Sequence, residues 1–253
     1  MTLLRNQTFT GLVLRTQDYH DNDQLVYLFT DRFGIMTFLL RGVKKAKSKK
    51  RYLALPFTYG TYQGTINSKG FSYLDDAVKV QQFQHIINDI KLNAYVTYLD
   101  DLILRAFESG KPQLVWFQKI ITATTLIDNG LDAAILTNIL EVQLLQPLGV
   151  APNWHSCVVG GESAGIFDYS PLLGGIICSR HWEQDPHRLH LQPKTVAYLR
   201  MFAQLDFSKI GRIAVNPGTK AQLRQTLDVI YRDSVGIYPK SKKFLDQMDH
   251  WQV

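Results

Sequence analysis

The sequence predicts an α+β protein in which a small β-barrel precedes a helical domain that contains an irregular lobe. Five short apolar and aromatic segments, each bounded by turn residues, fall within residues 1–80. From residue 81 onward, apolar residues recur at helical spacing. A stretch rich in Gly, Pro and His at about residues 152–190 interrupts this helical pattern. We therefore expect a β domain over 1–80 and a helical domain over 81–253, with the irregular lobe inserted in the helical domain.

The β domain is predicted from alternating apolar and polar residues that are rich in β-branched and aromatic side chains. The five predicted strands are Thr8–Arg15, Gln24–Thr30, Ile35–Leu40, Pro56–Gln63 and Phe71–Val80. Asn67–Gly70 predicts a hairpin turn before the last strand. Five short strands at this spacing predict a closed barrel of the OB-fold type, whose loops and one sheet face commonly bind oligonucleotides.

The helical domain is predicted from apolar periodicity and from helix-ending Gly and Pro residues. The predicted helices are Ile86–Phe107, Leu114–Ile127, Ala133–Leu145, Lys194–Gln204, Thr219–Ser234 and Lys243–Asp249. Thr219 follows Asn216-Pro217-Gly218 and is the predicted N-cap of its helix. Short connections between the first three helices favour antiparallel neighbours, and therefore a compact bundle.

Arg41–Arg51, which we call the basic segment, is the only strongly biased stretch of the chain. It reads RGVKKAKSKKR and contains no acid. Its cations are Arg41, Lys44, Lys45, Lys47, Lys49, Lys50 and Arg51. Like charges at this density repel each other and do not pack into a core. The segment therefore projects into water, either as a solvated loop without function or as a contact for a polyanion.

The positive charge of the chain is concentrated in its first third. Residues 1–80 contain twelve basic and six acidic residues, which accounts for the whole net charge of +6. A localised positive field favours nucleic acid or an anionic membrane as the partner. Aromatic side chains on the neighbouring strands would stack on bases, although alternation should place about half of them in the core. The candidates are Tyr27, Phe29, Phe38, Tyr52, Phe57, Tyr59, Tyr62, Phe71 and Tyr73.

Several function classes find no support in the sequence. No apolar run approaches the ~18 residues of a membrane span, and two cysteines do not predict a disulfide framework. The expected compartment is the cytoplasm. No phosphate-binding loop is present, and no nucleophile-base arrangement follows from residue spacing. The neighbouring carboxylates Asp75-Asp76 and Asp100-Asp101 point in different directions on a strand or helix, so they are expected to be solvated acids.

The irregular lobe contains an incomplete set of metal ligands. Cys178 and His181 have metal-ligand spacing, and a second such pair about twenty residues away would complete a zinc ribbon. Cys157 begins that second pair, but Gly160 stands where its partner is expected. We therefore interpret Cys157, Cys178 and His181 as remnant ribbon positions and expect no metal, with bound zinc as the alternative. Apolar packing then has to replace the metal, and it involves Trp154, Phe167, Tyr169, Ile176, Ile177 and Trp182.

Four parts of the sequence match one known pattern in order and spacing. Gly11–Tyr19 matches a first strand and turn, and Gln24–Gly34 matches a second strand with the turn after it. Arg41–Ser48 matches a basic loop of the form R-G-x-[RK]-[RK]-x-K-S. The match ends with Leu148–Pro152, Cys157 and Gly174–Cys178, which lead into and through a zinc-ribbon lobe. In these parts the chain resembles the bacterial RecO family of recombination mediators.

The resemblance implies an OB-fold, a helical domain and a zinc-finger-like lobe that is degenerate here, because relatives often have C-x-x-C where this chain ends in Gly160. It implies a non-enzymatic role without a nucleotide cofactor in recombinational DNA repair. RecO-like proteins bind single- and double-stranded DNA and anneal complementary strands. With RecR they load RecA onto DNA coated by single-strand-binding protein. We assign DNA contacts to Arg15, Arg41, Lys44, Lys45, Lys47, Lys49, Lys50 and Arg51.

Two other function classes remain as alternatives. A peripheral membrane protein would use the basic segment on anionic lipid, but such proteins usually carry an amphipathic helix or a lipid anchor as well. An enzyme with a basic substrate site would need acid and base groups that converge in a pocket. We expect a nucleoid-associated bacterial protein with no membrane contact, and we expect its protein partners to bind the charge-balanced helical domain.

Overall fold

A computed structural model describes residues 3–250 of the chain, and the side chains at 249 and 250 lie outside that description. The internal contacts divide the described residues into two units. The first unit comprises residues 3–130 with 241–250, and the second comprises Leu131–Lys240. The sequence predicted a domain boundary at residue 80, which lies close to the change from strands to helices. That the chain divides into domains there stays a prediction.

The first unit is built on one five-stranded antiparallel sheet. Its strands are β1 (Leu3–Tyr19), β2 (Asp23–Thr30), β3 (Gly34–Leu40), β4 (Thr58–Asn67) and β5 (Tyr73–Gln82), in the order β3-β2-β1-β4-β5. The two edge strands meet: Leu39 N–H donates to Ser72 O at 2.8 Å, and Ser72 N–H donates to Thr37 O at 3.0 Å. This contact closes the sheet into an OB-like barrel and confirms the predicted fold class.

The barrel interior is apolar. Aromatic rings meet at its centre, with the Phe9 and Phe38 centroids 5.5 Å apart and stacked, and those of Phe9 and Tyr62 6.3 Å apart. Every second residue of β4 is buried, as the pleat of a half-exposed strand requires. Burial raises the pKa of Tyr62, whose hydroxyl has no hydrogen-bond partner among the described residues. The barrel is therefore stabilised mainly by removal of apolar surface from water.

The helices occupy both units. They are α1 (Gln84–Asn88), α2 (Ile90–Ala106), α3 (Leu114–Asp128), α4 (Ala133–Leu144), α5 (Pro193–Gln204), α6 (Pro217–Ile230) and α7 (Lys240–His250). α1, α2 and α3 belong to the first unit, where Phe29 of β2 meets Phe107 and Phe117 at centroid distances of 6.2 and 5.6 Å. The sheet therefore packs against helices on its outer face through aromatic contacts.

Two sequence predictions about the helices were wrong. A single helix was predicted over Ile86–Phe107, but Asp89 has extended backbone angles and its side chain accepts from Lys91 and Leu92 N–H, which caps α2 and separates it from α1. Thr219 is not the N-cap of α6, because Asn216 accepts from Thr219 N–H at 2.8 Å. In both cases the side-chain oxygen of an Asp or Asn accepts hydrogen bonds from the free N–H groups of the first helical turn. This capping residue therefore sets where the helix begins.

The second unit contains the irregular lobe between α4 and α5. Its two strands, β6 (Phe167–Ser170) and β7 (Gly175–Cys178), form an antiparallel hairpin. Trp154 stacks on Tyr169 at 5.3 Å between ring centroids, and burial raises the pKa of Tyr169 to about 12. No helix in the described part of the chain is long and apolar enough to cross a membrane.

Candidate nucleic-acid interface

The basic segment is anchored to the barrel at both ends. Val43 is only 2% exposed and belongs to the barrel core, as do Leu53 and Ala54 immediately after the segment. Gly42 N–H donates to Asp23 Oδ1 at 2.7 Å, and the φ of Gly42 is +65°, which other residues rarely adopt. The cations are therefore displayed from a fixed scaffold.

The cations of the basic segment all project into solvent. Lys44 Nζ lies 2.7 Å from Asp18 Oδ2, and this hydrogen bond holds the pKa of Asp18 below its usual value. Arg51 donates to the backbone carbonyls of Lys44 and Lys45 at 3.3 and 3.1 Å, which folds the segment back on itself. Within residues 3–250, four lysines of the segment have no carboxylate at ion-pair distance, and we call these the unpaired lysines: Lys45, Lys47, Lys49 and Lys50. The hydrogen bond from Tyr52 lowers the pKa of Asp76, and the charge of Lys50 nevertheless acts on Asp76 from a longer distance and helps to lower this pKa. Most of the segment's charge is therefore available to an anionic partner.

The aromatic candidates divide between the core and the surface, as strand alternation predicts. The buried ones are Phe29, Phe38, Phe57 and Tyr62. The half-buried ones are Tyr27, Tyr52, Tyr59, Phe71 and Tyr73. Two of them adjoin the basic segment: Arg41 lies over the Tyr73 ring at 5.6 Å, and Tyr52, within the 3-10 turn Arg51–Ala54, donates a hydrogen bond to Asp76. Tyr73 is therefore an accessible ring beside the exposed cations.

Arg15 contacts a different part of the first unit from the basic segment. Its guanidinium lies 4.3 Å from the Tyr27 ring centroid, and both residues line a cavity of about 250 Å³. Asp101 and Arg105 of α2 line the same cavity and form an ion pair at 3.3 Å. The contacts described for Arg15 thus involve Tyr27 and this cavity, and not the residues of the basic segment.

The neighbouring carboxylates that were weighed as acid pairs have separate roles. Asp75 and Asp76 are exposed, and Asp76 accepts from Tyr52. Asp101 pairs with Arg105. The expectation of a solvated acid was wrong for Asp100, which is buried, and burial together with the charge of Asp101 raises its pKa well above the usual value. Neither pair presents two converging carboxyl groups.

The three remnant ribbon positions converge in the lobe, and a fourth residue joins them. His181 Nδ1 lies 3.4 Å from Cys157 Sγ and 3.3 Å from Cys178 Sγ. Glu162 Oε2 lies 3.5 Å from Cys178 Sγ and 3.8 Å from His181 Nδ1. Sequence reasoning missed Glu162, because it falls outside the C-x-x-C spacing and the only signal was a carboxylate shortly after Cys157.

These four residues fit the zinc that the ribbon pattern implies. All four donor atoms lie within 4.8 Å of one another. A tetrahedral zinc with bonds of about 2.0–2.3 Å separates its ligand atoms by about 3.3–3.8 Å. Both thiols are buried and unpaired as disulfides. Bound zinc would cross-link the hairpin to the preceding turn and add to the folding free energy of the lobe.

The environment of Cys157 favours its thiolate. Burial raises the pKa of this thiol, but the backbone N–H groups of Gly160, Cys178 and Val159, together with His181, outweigh burial and lower it to about 7. The Cys178 N–H donates to Cys157 Sγ at 3.3 Å. Thiolate is the form that binds metal, so Cys157 is the more readily ionised of the two thiols, whereas burial raises the pKa of Cys178.

Comparison with known proteins gives one consistent result. A family model described as "Recombination protein O N terminal" matches residues 2–83, and one described as "Recombination protein O C terminal" matches residues 87–243. The DNA repair protein RecO of Ligilactobacillus salivarius is 45% identical over 248 residues, which cover 97% of this chain and 95% of that protein. The DNA repair protein RecO of Levilactobacillus brevis is 45% identical over 252 residues, which cover 99% of this chain and 97% of that protein. That of Pediococcus pentosaceus is 38% identical over the full length of both chains. The chain therefore belongs to the RecO family of DNA repair and recombination proteins.

Proposed function

We propose that this protein binds single- and double-stranded DNA through the basic segment and anneals complementary strands without enzymatic chemistry. The observation that carries the proposal is the display of unpaired lysines on a closed barrel whose core includes Val43. Family membership supports the proposal, since the relatives are named DNA repair proteins.

The mechanism is electrostatic. Each lysine that approaches a phosphate releases condensed counterions, so affinity arises without sequence preference. Two complementary strands repel each other through their phosphates. A segment that neutralises phosphates on both strands lowers this repulsion and raises the rate at which bases meet and pair. No bond is made or broken by the protein in this scheme.

Base stacking would add a second contribution. Tyr73 is half-buried with Arg41 over its ring. If a strand displaces Arg41, that face of the ring could stack on any base. Stacking is worth about 1–3 kcal/mol per base in such interfaces. A strand held at its phosphates by the basic segment would place bases within reach of this ring.

We further propose RecR and single-strand-binding protein as partners, with RecA loaded indirectly. The support is family membership and the charge distribution. Residues 81–253 contain sixteen basic and sixteen acidic residues, so this region does not share the excess positive charge of the N-terminal part. A balanced surface suits protein partners better than a polyanion.

The test is single-stranded DNA binding across a salt series, with strand annealing followed in the same samples. Changing Lys44, Lys45, Lys47, Lys49 and Lys50 to Ala should weaken binding at least about tenfold and lower the salt slope by up to about 3.5, since each phosphate contributes about 0.7 for single strands. Annealing should slow in parallel.

The matched control changes five exposed cations elsewhere, namely Lys111, Lys194, Lys209, Arg212 and Lys240. It removes the same net charge and should leave most of the affinity and slope intact. Both variants should retain stability within about 0.5 kcal/mol, because exposed lysines contribute little to folding. Equal losses in the two variants would show that net charge, and not the basic segment, binds DNA.

A further inference from the structure

The turn between Cys157 and Glu162 determines which side chains reach the four-residue cluster of Cys157, Glu162, Cys178 and His181. Cys157 N–H donates to Glu162 O at 2.7 Å, and Gly161 N–H donates to Cys157 O at 2.9 Å. Gly161 has a φ of +77°, in the left-handed region. The chain therefore reverses over residues 158–161 and returns residue 162, not residue 160, to a position opposite Cys157.

Position 160 also faces the cluster, but its space is already occupied. A Cβ atom added at Gly160 would lie 2.4 Å from Glu162 Oε2 and 2.4 Å from His181 Cε1. Real Cβ atoms do not make contacts this short. The Glu162 carboxylate thus lies where a side chain from residue 160 would enter the cluster. A side chain at position 160 would have to displace the Glu162 carboxylate and the His181 ring, and in this chain Glu162 occupies that space.

We infer that Glu162 is the fourth ligand of a tetrahedral divalent-metal site with Cys157, Cys178 and His181, and that it replaces a ligand at position 160. The inference goes beyond DNA binding and does not depend on it. Two thiolates, one imidazole and one carboxylate form a donor set that suits zinc. The carboxylate reaches the cluster because the turn returns residue 162 to a position opposite Cys157.

Arg180 positions the proposed ligand. Its guanidinium forms an ion pair with Oε1 of Glu162, while Oε2 is the oxygen directed to Cys178 and His181. Two thiolates and a carboxylate around a divalent cation leave one net negative charge, which Arg180 offsets from outside the cluster. Such outer partners fix the orientation of a ligand and typically affect metal affinity by about 10–100-fold.

The experiment measures metal binding by the full chain in chelator competition. The wild-type protein should bind one zinc per chain, and its cobalt form should show thiolate-to-metal charge transfer with the visible bands of a tetrahedral site. Glu162→Gln should weaken zinc binding at least about tenfold. Glu183→Gln is the matched control, because Glu183 is an exposed carboxylate in the same lobe and has no place in the cluster.

A second variant makes the test independent of any folding defect in the first. Gly160→Cys combined with Glu162→Ala removes the carboxylate from the path of the new side chain, and the His181 ring has to shift to clear the new Cβ atom. With that shift the double variant should restore zinc binding and raise the charge-transfer intensity of the cobalt form by about half, since three thiolates replace two. Wild-type affinity in Glu162→Gln would overturn the assignment of Glu162. So would a wild-type chain that binds neither zinc nor cobalt.

Discussion

The barrel and the lobe differ in the kinds of side chains that their interiors contain. The barrel interior is apolar, and its charged groups lie outside, in the basic segment. The lobe holds polar groups inside: the four-residue cluster, the contact of Arg188 with Asp168 at 3.1 Å, and the hydrogen bond from Ser170 to Asp185 at 2.5 Å. A barrel stabilised by apolar burial tolerates a dense run of unpaired cations on its surface. The lobe also buries apolar side chains of its hairpin, such as Phe167, Ile176 and Ile177, but the polar groups inside it have to satisfy one another.

The largest expected effect comes from the barrel core. Phe38→Ala should cost about 3–5 kcal/mol of unfolding free energy, because it removes a fully buried ring from the closed end of the sheet. Urea unfolding followed by a barrel-specific fluorescence or hydrogen-exchange signal measures this loss. Addition of a metal chelator should not change the result for the barrel. A cost below about 1 kcal/mol would contradict an apolar origin of barrel stability.

The corresponding change in the lobe removes a buried charge. Asp168 accepts from the N–H groups of Tyr169 and Leu191 at 2.8 and 2.9 Å and faces Arg188. Asp168→Ala leaves that arginine without its partner and should cost about 3–5 kcal/mol. Hydrogen exchange of the β6 and β7 amides should then speed up by at least about a hundredfold, with barrel amides unchanged. Asp168→Asn keeps the shape of the side chain and its accepting oxygen and should cost less; an equal cost would place the whole effect in the lost charge and none in packing or hydrogen bonds.

Asp100 is a buried carboxyl group in the first unit, and it is therefore an exception to the contrast between an apolar barrel and a lobe with polar groups inside. The raised pKa of Asp100 means that the folded state keeps a proton where the unfolded state has lost it. The contribution of Asp100 to stability should therefore be greatest below its unfolded pKa of about 3.9 and fall as pH rises, by up to about 1.4 kcal/mol for each pH unit until the folded pKa is reached.

Asp100→Asn should remove this pH dependence. Urea unfolding of the first unit at a series of pH values from about 5 to 8 measures it, with the exposed Asp75→Asn as the control that keeps the wild-type slope. A wild-type slope that persists in Asp100→Asn would assign the proton uptake to a different group.

The smallest expected effect concerns the surface of the barrel. Asp18→Asn releases Lys44 from its ion pair and should raise single-stranded DNA affinity about two- to threefold. Asp21→Asn removes an equal charge from the same turn without breaking that pair, and it should have the weaker effect. Salt-series binding of the two variants separates release of Lys44 from a change in net charge. If both variants gain equally, the Lys44–Asp18 pair has no specific influence.

Local pattern was sufficient to predict much of the fold. All five strands lie where β-branched and aromatic runs predict them, because strand alternation and turn residues are properties of neighbours in sequence. It was not sufficient at Asp89 and Asn216, where one side-chain oxygen decides the position of a helix start. Propensity averages over several residues and does not resolve a single cap.

The candidate sites show the same division. By itself the sequence determined the basic segment, since seven cations within eleven residues are exposed in any fold that buries an apolar core. It also determined the family, through motifs that keep their order along the chain. Only the tertiary structure decided which aromatic rings face outward, that Arg15 contacts other residues than the basic segment does, and that Glu162 joins two cysteines and a histidine. The physical reason is that exposure of a charge depends on composition, whereas convergence of side chains depends on where turns and closed strands bring distant residues.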